Sequence, residues 1–370
     1  MKQFSLLFPS TIHFGFATLD KVATIKMPEG SIGLVTGGAA MRKNGSIDRV
    51  LGLLKNKKVI IFEGVEPEVS VETVDKCAKT MRKHGVTSLI GIGGGSALDC
   101  AKAVAGVYKS GKSVKDYLDG KIKISETAFF IAIPSTAGTG AEVTKNAVLT
   151  YTEKKIKTSL RGETLVPKIV ICDPQLTMSM PPEITAYTGM DALTHAVESY
   201  FSTGANEVTK GFAVKAIKLI MENILKAVEN GSNKTARYNM LLASVTAGLA
   251  FANSGLGAVH GIGHPVGAIA HLPHGKVNAI LLPVVMECHK KYASGLFKSF
   301  EKDCGENTIK KIKTLNKKIG LPDKLSKLDS DIAAKLPLIM STMVYASGSM
   351  AFNPVKMTPS KVENILKEAL

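Results

Sequence analysis

The sequence predicts a two-part fold: an α/β N-terminal domain on a parallel, doubly wound sheet over residues 1–180, then an all-α C-terminal domain over residues 181–370. Three observations carry this. Short β-branched runs alternate with helical patterns through the first half, the alternation stops near residue 180, and only helical spacing recurs from there to Leu370. A length of 370 residues suits two domains of roughly 100–200 residues each.

The elements follow in order. SIGLVT (31–36), KVIIFE (58–63) and TSLIGIG (87–93) are apolar runs of strand length. Between the last two, Val71, Val74, Cys77, Ala78 and Met81 recur at three-and-four spacing, which predicts a helix over 69–84. FFIAIPS (129–135) and PKIVICDP (167–174) read as further strands, with NAVLTYT and KIKTSL as a hairpin between them. Residues 208–228 place Val208, Ala213, Ile217, Ile220, Ile224 and Val228 on one helical face. Thr358-Pro-Ser360 marks the start of the last helix. Between Arg237 and Lys276 there is no charged residue, but Asn239, Asn253, four histidines and two prolines make this buried helix rather than a lipid-facing span.

Composition excludes several classes. The net charge of +16 comes from 47 basic and 31 acidic residues. The excess is spread evenly, 25 against 16 up to residue 180 and 22 against 15 beyond, with no basic tail and no aromatic-basic interleaving. That distribution points away from nucleic acid and toward a mild attraction for anionic cofactors. Cys77, Cys100, Cys172, Cys288 and Cys304 are too scattered for a zinc finger or a disulfide framework, and a reducing, cytoplasmic interior fits them. The N-terminus makes a poor secretory signal, and no membrane association is expected.

Two loops and one helical segment carry chemistry. GIGGGSALDCAK (91–102) falls where a strand gives way to a helix, so its glycines let backbone approach a phosphate and the helix N-terminus offers free N–H groups. Ser96 stands where the third glycine of the dinucleotide fingerprint belongs and is placed to cap the helix. PSTAGTGAEVT (134–144) follows another strand, and its hydroxyls and glycines suit an anion or a ribose. In TGMDALTHAVESY (188–200), Asp191 and His195 are four apart and share a helix face. His260 and His264 are likewise four apart, His271 and His274 three apart, and five of the eight histidines fall within 260–289. Imidazoles clustered in a charge-free segment are costly to bury unless paired, and a transition metal supplies the pairing.

GGGSALD, PSTAGTGAEVT, GMDALTHAVES and VHGIGHPVGAIAHLPHG together resemble the iron-containing (group III) alcohol dehydrogenases over nearly the whole chain. The resemblance implies a dehydroquinate-synthase-like architecture: a dinucleotide-binding domain, a helical metal domain and a cleft between them. It implies metal ligation by Asp191, His195, His260 and His274, with His264 beside the ion as proton relay. The cofactor pyrophosphate would lie on Gly94, Gly95 and Ser96, with Asp99 opening the helix behind. Ser135, Thr136 and Thr139 would line the nicotinamide side, and Lys157 would lie near the ribose. Ser135 and Ala141 depart mildly from the family's usual residues, and His271 occupies a position that is usually not histidine.

The implied cofactors are Fe2+, with Zn2+ compatible with the same ligands, and NAD(P)(H). Gly37 stands where members preferring NAD often carry an acid, and Glu68 pulls the other way, so the balance leans slightly to NADP. The implied activity is hydride transfer between alcohols and aldehydes or ketones, by a protein that forms a homodimer or higher oligomer. Small apolar positions near Lys145–Val148 and Phe251–Leu256 suit short or medium aliphatic substrates. Rival readings are a glycerol-type polyol dehydrogenase, a dehydroquinate-synthase-like lyase and a catalytically silent member; GMDALTH and LPHG favour the alcohol dehydrogenases.

Overall fold

The computed structural model describes residues 3–154, 156–345 and 348–370. The chain forms two compact units: a sheet unit, Leu7–Ser179, and a helical unit, Met180–Leu370, which also takes in the N-terminal stretch up to Leu6.

In the sheet unit, six strands run parallel: β1 (Thr11–Phe14), β2 (Ser31–Thr36), β3 (Val59–Phe62), β4 (Val86–Gly93), β5 (Phe129–Pro134) and β8 (Ile169–Cys172). Their order is β1-β8-β5-β4-β2-β3. β6 (Asn146–Tyr151) and β7 (Ile156–Arg161) form the expected antiparallel pair. The central strands alternate faces with a period of two. Leu89, Phe130 and Ala132 pack with Val74, Cys77, Leu98 and Ala101 of the helices Val71–Lys83 and Gly95–Val107. Ile90, Ile92, Ile131 and Ile133 pack with Ile47 and Val50 of the helix Ser46–Leu53 on the other face.

This topology creates a switch point. β2 and β4 are neighbours, yet the chain leaving β2 forms a helix on one face and the chain leaving β4 forms one on the other. Ligands of open parallel sheets bind outside such carboxyl ends. One strand lay outside the sequence reading: β1, whose Thr-Ile-His-Phe is only four residues long, joins the sheet beside β8.

The helical unit is built on the helices Pro182–Phe201, Glu207–Glu229, Lys234–Ser254, Ala258–Ala270 and His274–Tyr292. The first of these buries its Ala-rich middle, and the second is capped by Asn206 and Thr209 in reciprocal bonds. Among the described residues no single helix is long and apolar enough to cross a membrane. The uncharged stretch forms two helices bent by 103°, with most of their residues buried. Thr358 caps the last helix, Pro359–Ala369, as its sequence requires.

Candidate metal centre and nucleotide loops

Three helices bring the histidine cluster together. Asp191 and His195 lie one turn apart on Pro182–Phe201, His260 and His264 on Ala258–Ala270, and His274 opens His274–Tyr292. The last helix reaches Asp191 because Gly275 has no side chain: a Cβ there would lie 2.2 Å from the Tyr187 carbonyl oxygen.

The donor atoms converge. Asp191 Oδ1 lies 3.6 Å from His260 Nε2 and 3.7 Å from His274 Nε2, and Asp191 Oδ2 lies 3.9 Å from His195 Nδ1. One atom each from Asp191, His195 and His260 fall within 4.8 Å of one another. Donors bound at about 2 Å to one tetrahedral ion are themselves about 3.4 Å apart, so three imidazoles and a carboxylate at these separations fit a divalent transition metal. The His195 ring stacks on Phe251 at 4.3 Å and on His260 at 4.5 Å, which fixes its plane. His264 stacks on the His274 ring at 4.9 Å and meets the His260 ring edge-on at 5.7 Å.

Charge follows geometry. Burial works against the Asp191 carboxylate, but His195, His274 and His260 outweigh it and hold the group far below the usual carboxylate range. Burial also opposes a charge on His260, yet Glu198 and Asp191 prevail and lift it to about 9.

Two residues here had no place in the sequence reading. Glu198 Oε2 sits 2.5 Å from His260 Nδ1, while its Oε1 accepts the Val259 N–H at 2.6 Å. That carboxylate orients the ring and leaves Nε2 pointing at the cluster, the arrangement that raises a ligand's basicity. Asn278 is fully buried, and its Nδ2 donates to Asp191 Oδ1 at 2.8 Å. Spacing carried both signals: Glu198 is three residues after His195, and Asn278 is four after His274. His271 stands apart as the exposed cap of its helix, in the left-handed region at φ 53°.

In the sheet unit, Gly93, at φ 147°, ends β4, Gly94 caps the following helix without a side-chain bond, and the helix begins at Gly95. Its first amides are therefore available to an anion. The second loop is stitched to the first: Ser135 N–H donates to the Gly93 carbonyl at 2.8 Å, and a Cβ on Gly95 would lie 2.8 Å from Thr139 Cγ2. Thr136 lies beside Gly94, and Gly37 ends β2 at the switch point.

Two expectations need correction. Ser96 does not cap the helix, because its Oγ accepts the Glu68 N–H at 2.9 Å. Asp99 does not open the helix. It lies one turn in, buried, bonded to the Val148 N–H beside Lys102. Lys157 has its ammonium in an ion pair with Glu68, a residue held at φ 58°.

Behind the loops, Lys102 is buried and donates to the Ala141 carbonyl at 2.5 Å, Thr144 Oγ1 at 2.8 Å and the Asn146 carbonyl at 2.8 Å. It ties the helix of the first loop to the segment after the second. Burial lifts Asp99 to about 6 and Glu142 to about 7 and depresses Lys102 to about 8.

Glycine-rich loops at the switch point of a parallel sheet and a histidine–carboxylate cluster on helices suit the class of nucleotide- and metal-dependent enzymes. Comparison with known proteins narrows it. Residues 9–174 match the model of iron-containing alcohol dehydrogenase, and residues 185–370 match that of the Fe-containing alcohol dehydrogenase family, C-terminal. The chain is 35% identical to an NADPH-dependent butanol dehydrogenase of Clostridium saccharobutylicum, over 99% of this chain and 97% of that one. It is 34% identical to a 1,3-propanediol dehydrogenase of Citrobacter freundii, over 100% and 99%. Among solved structures, an alcohol dehydrogenase from Oenococcus oeni superimposes with a TM-score of 0.93 at 30% identity, covering both chains completely. The chain belongs to the iron-containing alcohol dehydrogenase family and is an alcohol oxidoreductase that uses NAD(P).

Proposed function

We propose that Asp191, His195, His260 and His274 together hold one divalent ion, Fe2+ by family and Zn2+ by equal donor chemistry. The reading rests on the convergence of Asp191, His195 and His260, with His274 Nε2 3.7 Å from Asp191 Oδ1. When bound, the ion supplies Lewis-acid polarisation of an alcohol or carbonyl oxygen, and the nicotinamide carries the hydride. The chain's own residues do the rest. Glu198 keeps the His260 ring aimed, and stacking on Phe251 fixes the orientation of the His195 ring. His264, in contact with the His274 ring, moves the proton between substrate and solvent, a task suited to an imidazole.

The cofactor pyrophosphate belongs on the amides of Gly94 and Gly95 and the Ser96 hydroxyl. Ser135, Thr136 and Thr139 form the nicotinamide side, and Lys157, steered by Glu68, serves the ribose side. Asp99 acts from behind the loop, through Lys102 and the hairpin. Gly37 leaves room at the end of β2 for a 2′-phosphate, and the butanol dehydrogenase relative is NADPH-dependent, so the reading leans to NADP. Substrates are short or medium aliphatic alcohols and aldehydes. The protein works in the cytoplasm, where its five free cysteines stay reduced, and forms a homodimer or higher oligomer.

Elemental analysis of protein purified without oxygen, joined to an absorbance assay at about 340 nm with primary alcohols, tests this. His274→Ala should lose the metal and turnover together while keeping the fold; full activity in that variant would remove the ligand assignment. Gly37→Asp should shift the NADP-over-NAD ratio about ten-fold or more toward NAD by charge repulsion, as read from comparative kinetics.

A further inference from the structure

Asn278 lies within hydrogen-bond distance of three donors of the cluster while contributing none of its own. Its carboxamide carries two hydrogens. Asp191 Oδ1 accepts one of them at 2.8 Å, and His274 Nε2 at 3.0 Å and His260 Nε2 at 3.3 Å are the next polar atoms, each able to accept when that nitrogen carries no proton. These three belong to three different helices. The opposite end of the carboxamide is shaped too. Asn278 Oδ1 lies where a side chain on Gly263 would begin, 2.4 Å from an ideal Cβ. That oxygen is buried without a hydrogen-bond partner among the described residues. The orientation is therefore set by Asp191: turning the amide over would press its oxygen against a carboxylate.

We propose that Asn278 is a positioning residue that assembles the metal centre before an ion arrives. Its NH2 group stands in as a partial positive charge, drawing Asp191 and His274 into ligand separation, and the glycine at 263 makes the room. The proposal rests on the four-ligand reading above. It adds that the site is pre-organised by a group that is not a ligand, so that an ion meets donors already converged.

The test uses the full-length apoprotein with Co2+ as probe, followed by ligand-field absorption and chelator competition. Asp191→Ala should abolish binding; if it binds Co2+ as wild type does, the ligand reading itself fails. Asn278→Leu and Gly263→Ala both leave the four ligands in place. Each should weaken Co2+ binding about 10–100-fold, the usual cost of losing an outer-shell partner, and alter the absorption bands. Wild-type affinity and spectrum in both, alongside loss in Asp191→Ala, would overturn the proposal and leave the ligand reading standing. Asn278→Asp guards against a folding defect. A carboxylate facing Asp191 should lower the melting temperature of the apoprotein and enlarge the rise on adding Co2+. Equal shifts with and without Co2+ would mean that Asn278 only fills space, which also overturns the proposal.

Discussion

Each unit buries a cluster of ionisable groups, and the two clusters solve the same problem in opposite ways. In the sheet unit the cation is supplied by the chain: Lys102 has an acceptor for each ammonium hydrogen, and Asp99 and Glu142 lie within its field. In the helical unit Asp191 and Glu198 have only imidazoles within ion-pair distance among the described residues. Imidazole lone pairs aimed at one point make a socket, whereas an ammonium closed by carbonyls makes a strut. Buried charge alone therefore does not mark a binding site; convergence of imidazoles and a carboxylate on one another does.

The sharpest test exchanges one residue from each cluster. Asp191→Asn should lose the ion and about 10³-fold or more of kcat/KM, because Lewis-acid polarisation is worth several kcal/mol. Lys102→Met should instead cost about 3–5 kcal/mol of stability, by leaving buried partners uncompensated, with metal content unchanged. A Lys102→Met protein that lost its ion would break the distinction. Next in size, His264→Ala should retain metal and slow turnover about 10²-fold; falling metal content would make His264 a ligand.

The smallest effect is one of pH. Glu142 has a folded-state pKa of about 7, above its ordinary 4.5, because burial penalises its charge. The folded state thus holds this proton more tightly than the unfolded chain. That contribution to stability is present below pH 4.5 and fades as pH rises through 7. Glu142→Gln should match wild type near pH 5 and melt a few degrees higher near pH 8. A higher melting point at both pH values would point to packing instead.

The fold class was legible because apolar residues are dense where burial is two-sided: β5 is an unbroken apolar run, and β4 closes on Leu-Ile-Gly-Ile-Gly. β1 was not, since its four residues have meaning only beside β8. In the candidate site, His195 and Asp191 could be read from helical spacing, and the later histidines from their clustering. Glu198 and Asn278 could not, although both obey the same spacing, because a glutamate and an asparagine on a helix face are ordinarily solvated. Only burial tells otherwise. Ser96 and Asp99 were misplaced for a related reason. Their side chains answer to Glu68 and Val148, partners far along the chain that no local pattern announces.

One asymmetry in the donor cluster has a practical edge. The side chains of Asp191 and His260 are nearly shut off from solvent, at 6% and 2% exposure, while that of His274 is 25% exposed. If these side chains hold the ion, traffic in and out of the cluster runs past one imidazole. Chelators, water and dissolved oxygen would then reach the ion past that same ring. Retention of iron and tolerance of air then become properties of that single threshold, open to tuning by residues around His274 without disturbing the three donors behind it.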